Sequence, residues 1–528
     1  MRIACLGGGP GGLLAALLAK RSDPSREVTV FERNRAGDTF GFGVVFSDAT
    51  LDGIHAADPV LRGALDRHGV HWDPIEVRLR GERWTFGGNG MAAVARRIML
   101  SLLQQQAAAA GVDLRFATPV QPDDLLGAGY DLVIAADGAN SQLRARFAAE
   151  FGPTVTTAAA KFIWFGTTYP FTGLTFVHEE SPHGVFAVHG YPIGGGVSTF
   201  IVETDERSWR AAGLDGFDAS QPPGPSDQAS QAYLEKLFAA QIDGCPLLVN
   251  NSRWGSFRTW RTQRWRHRAG PTAVALLGDA GHTAHFSVGS GTKMAMEDAV
   301  ALVAALDARA AGPRPGADAV DAALAAYEAE RRPRVTRIQD AARPSLSWWE
   351  HFGRAYRALP PWQFAYHFFS RSLPEAKLGQ RDPGFVGSVH QAWQAAHAGA
   401  EPLDTPIEIG GTGQPGRLVR VTGGAAQLAS GPLPLRPGPP GGGRWGLWLT
   451  APDTEAGLGD AADQVARGLA AGACLVAVSG GSSLTRRLVS EAARLDQGAL
   501  TMLVEDAGRD VAGTAVLSGR ADLIGVPG

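Results

Sequence analysis

The sequence is short of cysteine, of net charge and of long apolar runs, and each shortage removes a class of protein. Its three cysteines (Cys5, Cys245 and Cys474) lie far apart in 528 residues, with no CxxC or zinc-like spacing. They read as buried thiols in a reducing compartment, so neither a disulfide scaffold nor a metal site is expected. A formal net charge of −3 gives no electrostatic reason to expect nucleic acid or an acidic membrane as partner. No segment reaches the length needed to span a bilayer. The apolar stretch from Ala4 to Ala19 is broken by Gly7-Gly8-Gly9-Pro10-Gly11-Gly12, which the apolar core of a secretion signal would not carry. A cytoplasmic protein is expected.

What remains is an ordinary globular composition, 45% apolar and 19% charged, long enough for about two to four domains with a large core. Residues 1 to about 375 alternate strand-like and helix-like patterns. Arg2 to Leu6 and Glu27 to Phe31 read as strands flanking a helix. Met91 to Ala110, rich in Ala, Leu, Gln and Arg, reads as a helix, and Asp131 to Ala136 as a buried parallel strand. The strings KFIWFGTTYPF, LTFVH, GVFAVHGY and STFIVE, between Lys161 and Glu203, predict an inserted antiparallel sheet. Its span is about 155–255. Helical patterning returns at Gly291 to Ala311 and from Ala319 to about Ile338. Residues 376–445 read as a linker, with GPLPLRPGPPGGG (Gly431 to Gly443) having little capacity for helix or sheet. Residues 446–528 read as a small α/β segment, with strands at Gly446 to Thr450, Cys474 to Val478 and Leu500 to Val504.

Three glycine-rich motifs bear on the chemistry. Gly7, Gly9 and Gly12 form GxGxxG between a strand and a helix, and Glu32 ends the next strand 20 residues after Gly12. Glycines let a backbone approach a pyrophosphate, a helix start offers free N–H groups, and the acid can bond a ribose hydroxyl. A bare glycine turn is the blander alternative, and the motif alone does not separate FAD from NAD. A second such string, Gly411, Gly413 and Gly416, lacks the strand–turn–helix context and reads as a loop. The third motif is Gly278-Asp279 with His282 at an apolar strand end, followed by Gly289-Ser290-Gly291-Thr292-Lys293 opening a helix. That helix start can set its dipole against an electron-rich flavin pyrimidine.

Gly7-x-Gly9-x-x-Gly12, Asp137-Gly138 in YDLVIAADGANSQLR, Gly278-Asp279 with His282, and YEAERRPRV (Tyr327 to Val335) together resemble the group A flavoprotein monooxygenases, the family of p-hydroxybenzoate hydroxylase. The resemblance implies an α/β fold, a Rossmann-like FAD-binding domain with an inserted β-sheet substrate domain. It implies FAD as cofactor and NADH or NADPH and O₂ as co-substrates. It assigns Glu32, with Arg33 beside it, to the adenosine ribose end and Arg97 (or Arg96) to FAD. Asp137 and Gly138 would serve flavin and nicotinamide, and Asp279 the ribityl chain. Gly289, Gly291 and Thr292 would form the flavin-facing helix start. Two positions depart from the pattern: Phe286 stands where a proline is usual, and Lys293 where an asparagine is. The strings DTFGFGVVFSD (from Asp38), KFIWFGT, STFIVET and AHFSVGSGTK look like the subgroup acting on salicylyl- and 2-aminobenzoyl-type CoA thioesters, and like hydroxylases of indoles.

In that family hydroxylation proceeds through a flavin C4a-hydroperoxide, so an electron-rich aryl substrate is implied, bound as a CoA or carrier thioester. Hydroxylation of a free aromatic or indole is the rival reading, and a flavin-binding partner protein without hydroxylase activity is another. A homodimer is among the states left open. Candidate bases are His285, His189 and Tyr191, with Glu203 a fourth; for each, a hydrogen-bonded structural role is the blander alternative. Trp254, Trp260, Trp265, Trp348 and Trp349 could stack on an aryl or adenine group but suit a core equally. The basic run Arg258 to Arg268 could meet CoA or carrier phosphates, or be a solvated loop. Val465 to Ser483 and Ser518 to Gly528 resemble pieces of the FMN-binding, old-yellow-enzyme-like barrel that follows the monooxygenase in some CoA enzymes. With 396–445 expected to be too short for the missing strands, a shrunken remnant without FMN is implied, a generic α/β tail being the alternative.

Overall fold

The computed structural model describes the chain except residues 40, 49–51, 54, 55, 57, 58, 219, 220, 222, 223, 290 and 313. Phe40 of the DTFGFGVVFSD string and Ser290 of the helix-opening motif therefore lie outside the described residues. The chain forms two compact units, Met1–Glu76 with Asn89–Glu350, and Val77–Gly88 with His351–Gly528. The division falls earlier than the expected boundary near 375, and it assigns Val77–Gly88 to the second unit.

The first unit holds a six-stranded sheet in the order Arg266–Ala269, Thr272–Leu276, Leu132–Ala135, Arg2–Leu6, Glu27–Phe31, Asp113–Arg115. All neighbours are parallel except the first pair. Ile3, Ala4, Cys5, Leu132 to Ala135 and Ala273 to Leu276 are fully buried, as strands packed on both faces must be. The helix Pro10–Ser22 starts with proline in its first turn and ends on Lys20 and Arg21, both favourable to the helix dipole.

Two helix readings change. Met91–Ala95 is a strand paired with Gly43–Ser47 and Val70–Trp72, and the helix is Arg96–Ala109. Strand partners on both sides, with Ala92 to Val94 buried, override the helical preference of alanine. The later helix runs over Ala317–Ala358 with Pro333 and Pro344 inside it, past the stop that those prolines signal.

The inserted sheet is antiparallel as expected. Pro153–Thr167 pairs with Ser198–Thr204, which pairs with Gly184–Pro192, which pairs with Leu174–Ser181; Gly255–Thr262 also pairs with the long first strand. Period-two alternation sorts its side chains onto two faces. Ile163, Phe165, Val177, Phe186, Val188, Phe200 and Val202 form an apolar core with Leu234 and Phe238 of the helix Gln228–Phe238. By the same register Phe162, Trp164, Phe176, His189, Tyr191, Ile201 and Glu203 share the opposite face. That face is buried too, which is why the strand Ser198–Thr204 has no exposed position.

The second unit departs most from expectation. Residues 376–445 are not a linker: they hold the helix Pro383–Ala396, a hairpin of Ile407–Ile409 and Thr412–Gln414, and three barrel strands. The loop expected around Gly411, Gly413 and Gly416 is largely that hairpin. Seven strands, Leu418–Thr422, Ala425–Leu428, Gly431–Arg436, Gly446–Thr450, Val476–Ser479, Thr501–Val504 and Leu523–Pro527, close into a barrel. The first and last pair in parallel to complete it. Two prolines fit in Gly431–Arg436 because Leu435 N donates to Gly424 O (2.8 Å) on one side. Alternation turns the nitrogens of Pro432 and Pro434 to the other side, where pairing begins only at Leu435. Val419, Val421, Leu433, Leu435, Leu475, Ala477, Met502 and Leu523 pack together as one core, while Leu447, Leu449, Val476 and Val478 pack against Ala461, Val465 and Val489 from the surrounding helices. Among the described residues no helix is long and apolar enough to cross a membrane.

Candidate active site

Register brings Gly7-x-Gly9-x-x-Gly12, Asp137-Gly138 and Gly278-Asp279 together. Leu6 pairs with Phe31 and with Ala135, and Ala135 pairs with Leu276. Gly7, Glu32, Asp137 and Gly278 therefore leave the sheet in one row at the carboxyl ends of its strands, where open α/β sheets bind ligands. Gly7 has φ +110°, and a Cβ there would stand 2.3 Å from Ala136 O. A Cβ at Gly12 would stand 2.2 Å from Gly7 O. Gly9 is the N-cap residue and has no side chain to cap the helix, so the first-turn N–H groups stay available. Glu32 is fixed at the lip of this turn, its Oε2 accepting from Gly8 N (2.8 Å) and its Oε1 from Asn34 N (2.8 Å) and Nδ2 (2.7 Å). Arg33 beside it is exposed.

Asp137 Oδ2 accepts from Gln142 N at 2.7 Å, while Oδ1 is buried without a hydrogen-bond partner. Burial pushes this carboxyl up, against the opposing hydrogen bonds from Ser141 and Gln142. Gly138 follows at φ +80°. Arg144, six residues after Gly138 and passed over in the sequence, ties two motifs together. Its guanidinium donates to Ala139 O (2.5 Å) and to Ala280 O (2.8 Å), and lies 3.7 Å from the centre of the Trp260 ring. The signal was its place at the end of YDLVIAADGANSQLR, beside Ser141, whose Oγ caps the Arg144 N–H.

Asp279 is accessible, yet surrounding protein pushes its carboxyl up, opposed by His282 and Arg96. Its place after Gly278 puts it at the crevice that open α/β sheets leave at the carboxyl ends of their strands. Of the two arginines offered by the sequence, Arg96 is the one turned inward. Arg97 is exposed, whereas Arg96 lies over the Trp164 ring (5.7 Å) with its Nε buried and without a hydrogen-bond partner. Met99 and Leu103, three and seven residues on, define the buried helix face that Arg96 shares. Burial pulls its guanidinium down, while Tyr191 and Asp279 act in the other direction. The helix Gly291–Arg309 has no acidic residue in its first turn, and Gly289 (φ +61°) precedes it; a Cβ on Gly289 or Gly291 would meet nothing within 4 Å. Thr292 is half-buried in that turn, and Lys293 faces Glu297 (3.8 Å).

His282 does not face this cleft. Its Nε2 is 2.7 Å from Asp298 Oδ2, which also accepts from Gly278 N (3.1 Å), while Arg331 Nε reaches Asp298 Oδ1 at 2.8 Å. Trp265 stacks on His282 at 4.7 Å. Burial alone would push Asp298 up, but His282 and Arg331 bring it below the usual carboxylate range.

Three of the four candidate bases are brought together or nearly so. Glu203 bridges His189 (Oε2 to Nε2, 2.6 Å) and His285 (Oε1 to Nε2, 3.2 Å), and all three are buried. Phe286 packs on His285 (4.2 Å), Phe162 (5.0 Å) and His189 (5.5 Å), so the residue that replaces the usual proline closes an aromatic wall. Trp349 lies 4.3 Å from His189. Tyr191 goes elsewhere: it stacks on Trp72 (6.4 Å) and its hydroxyl donates to Gly43 O (3.4 Å). Trp254 donates to Ser230 Oγ (2.7 Å) within the apolar core of the sheet. The basic run is two strands, Gly255–Thr262 and Arg266–Ala269, rather than a loop. Arg268 is taken by Asp321 and Arg261 by Asp340, while Arg264 and Arg266 are exposed.

Two consequences are measurable. Gly12→Ala should abolish retention of FAD through purification, read from the flavin absorbance per chain, because its methyl cannot coexist with Gly7 O. Arg331→Met should destabilise the first unit by about 3–5 kcal/mol in denaturant unfolding, since it strips a buried carboxylate of a partner; an unchanged midpoint would refute that role.

The arrangement fits FAD by its own features, namely a glycine cradle that a Cβ would fill, an uncapped helix start and an orphaned acceptor at Asp137. A family described as FAD binding domain matches residues 1–342. The chain is 55% identical to a salicyloyl-CoA 5-hydroxylase from a Streptomyces species, over 99% of each chain. It is 37% identical to a 3-hydroxy-4-methyl-anthranilyl-[aryl-carrier protein] 5-monooxygenase of Streptosporangium sibiricum, over 66% of this chain and 89% of that one. A solved 2-methyl-3-hydroxypyridine-5-carboxylic acid oxygenase has the same fold (TM-score 0.51, 19% identity, 70% of this chain and 98% of that one). The chain thus belongs to the FAD binding domain family and is an FAD-dependent aromatic monooxygenase.

Proposed function

We propose that this monooxygenase hydroxylates an aryl ring carried as a CoA thioester, of the salicylyl or 2-aminobenzoyl type, with NADH or NADPH as reductant. The observation that carries the reading is the single row of Gly7, Glu32, Asp137 and Gly278 at the strand ends, joined through the loop bearing His285 to a buried sheet face with Glu203 and His189. Identity of 55% along the whole chain to a salicyloyl-CoA hydroxylase supports the substrate class. When bound, FAD supplies hydride acceptance from the nicotinamide and activation of O₂ toward the ring.

The chain's own residues hold and shield that chemistry. The helix start at Gly9–Gly12 would take the pyrophosphate, Glu32 with Arg33 the adenosine ribose, and Asp279 with Arg96 the ribityl side. Asp137 and Gly138 would serve the nicotinamide as well as the flavin. Gly289, Gly291 and Thr292 would present N–H groups to the pyrimidine edge, where negative charge gathers on reduction. Phe162, Phe286 and Trp349 would wall the aryl ring and exclude water, which strengthens every polar contact inside. Exposed Arg264 and Arg266 are the proposed contacts for the thioester's phosphates. The three cysteines are free, and burial pushes the Cys5 thiol up to about 12, which suits a cytoplasmic enzyme.

Anaerobic flavin reduction by NADH and by NADPH tests the substrate class. Salicylyl-CoA or 2-aminobenzoyl-CoA should accelerate it well beyond the free acids; indifference to both thioesters would sink the reading in favour of a free aromatic or indole. Replacing Arg264 and Arg266 with glutamine should raise KM for the thioester and leave that for the free acid. Equal effects on both would remove the phosphate contact.

A further inference from the structure

We propose that His285 is a positioning residue and not the proton acceptor of the reaction: its Nδ1 caps the turn Phe286–Val288 and so fixes the helix start that faces the flavin. The proposal rests on the reading of Gly289, Gly291 and Thr292 as that helix start, and it assigns a role within the same site.

The turn needs an anchor. Phe286–Val288 is a single turn of 3-10 helix that ends on Gly289, and the helix Gly291–Arg309 begins two residues later. Gly289 is exposed, and a Cβ on Gly289 or Gly291 would meet nothing within 4 Å, so no packing at these two positions locates the backbone. His285 stands just before the turn, and its side chain supplies the cap, with Nδ1 accepting from Ser287 N at 3.3 Å. Ser, Thr, Asp and Asn are the usual caps, because each carries a short acceptor. A histidine can take that place only with a lone pair on Nδ1. Ser287 Oγ lies 2.8 Å from the same nitrogen and 3.1 Å from Ser345 Oγ, which belongs to the helix Ala317–Ala358. The turn is thereby both capped and tied to a long helix.

The same contacts take His285 out of proton transfer. A general base must come within hydrogen-bond reach of the proton it takes. Nδ1 is engaged by Ser287, and Nε2 faces Glu203 Oε1 at 3.2 Å. Phe286 (4.2 Å) and Phe257 (5.0 Å) pack against the ring, and the side chain is 1% exposed. Neither nitrogen is open to a substrate atom. A neutral imidazole whose Nδ1 accepts carries its proton on Nε2, toward the carboxylate.

Two substitutions separate the roles. Asparagine keeps a short acceptor near the place of Nδ1, whereas glutamine, one methylene longer, reaches toward the place of Nε2. In the full-length, FAD-loaded protein, His285→Gln should release FAD about fivefold faster or more, as a lost cap implies, and His285→Asn within about twofold of wild type. Product formed per bound flavin should fall about tenfold or less in His285→Asn, whereas loss of a general base costs about 100-fold or more. Equal release from the two variants, faster release from His285→Asn, or a base-sized loss of product in His285→Asn would overturn the proposal. Nitrogen-15 NMR of the wild-type histidine rings needs no variant to fold. It should find Nδ1 of His285 without a proton, and a proton there would overturn the cap. A wild-type chain that holds FAD but gives no hydroxylated thioester would instead defeat the substrate reading, and the release rates would still decide the cap.

Discussion

The structure depends first on strand register. Three parallel strands, Arg2–Leu6, Leu132–Ala135 and Thr272–Leu276, are aligned so that each ends at the same level. A slip of one residue would turn each strand's buried side chains to the other face and break the row of Gly7, Asp137 and Gly278. The alignment is enforced locally by backbone approach. Gly7 stands so close to Ala136, and Gly12 to Gly7, that neither position admits a Cβ. Backbone that close to backbone leaves the helix start bare, which is what a pyrophosphate requires.

The segment from Gly278 to Gly289 links that row to the inserted sheet, and a buried carboxylate holds it near each end. Near its start, Asp298 gathers Gly278 N, His282 and Arg331. Near its end, Glu203 takes His285. An isolated carboxylate at either place would cost several kcal/mol, so each is stable only with its partners in position. The loop is thereby fixed with respect to both the nucleotide sheet and the face that carries His189. The same polar groups that shape the cleft thus also locate its candidate catalytic atoms.

The FAD-binding family was legible because glycine and acid motifs report backbone geometry directly. The inserted sheet was legible because alternation in GVFAVHGY and STFIVET survives even where both faces are buried. Arg96 and Arg97 were indistinguishable in sequence, since choosing between them needs the helix phase set by Met99 and Leu103. Met91–Ala95 misled because strand pairing on both sides outweighs local propensity. The barrel was read only as a shrunken remnant, and its strands before Gly446 were missed, for a related reason. Its proline- and glycine-rich strand is acceptable only where half of its backbone nitrogens face no partner, a condition set by non-local pairing. That His189 and His285 meet at one carboxylate, Glu203, depends on strand register and on the loop after Gly278, and no local residue pattern encodes that.

The most direct test of the central claim is mass spectrometry of the product formed from salicylyl-CoA, NADH or NADPH and isotopically labelled O₂ by the FAD-loaded chain. The account predicts one labelled oxygen atom on the aryl ring with the thioester intact. Nicotinamide oxidation that yields only unmodified thioester would contradict it.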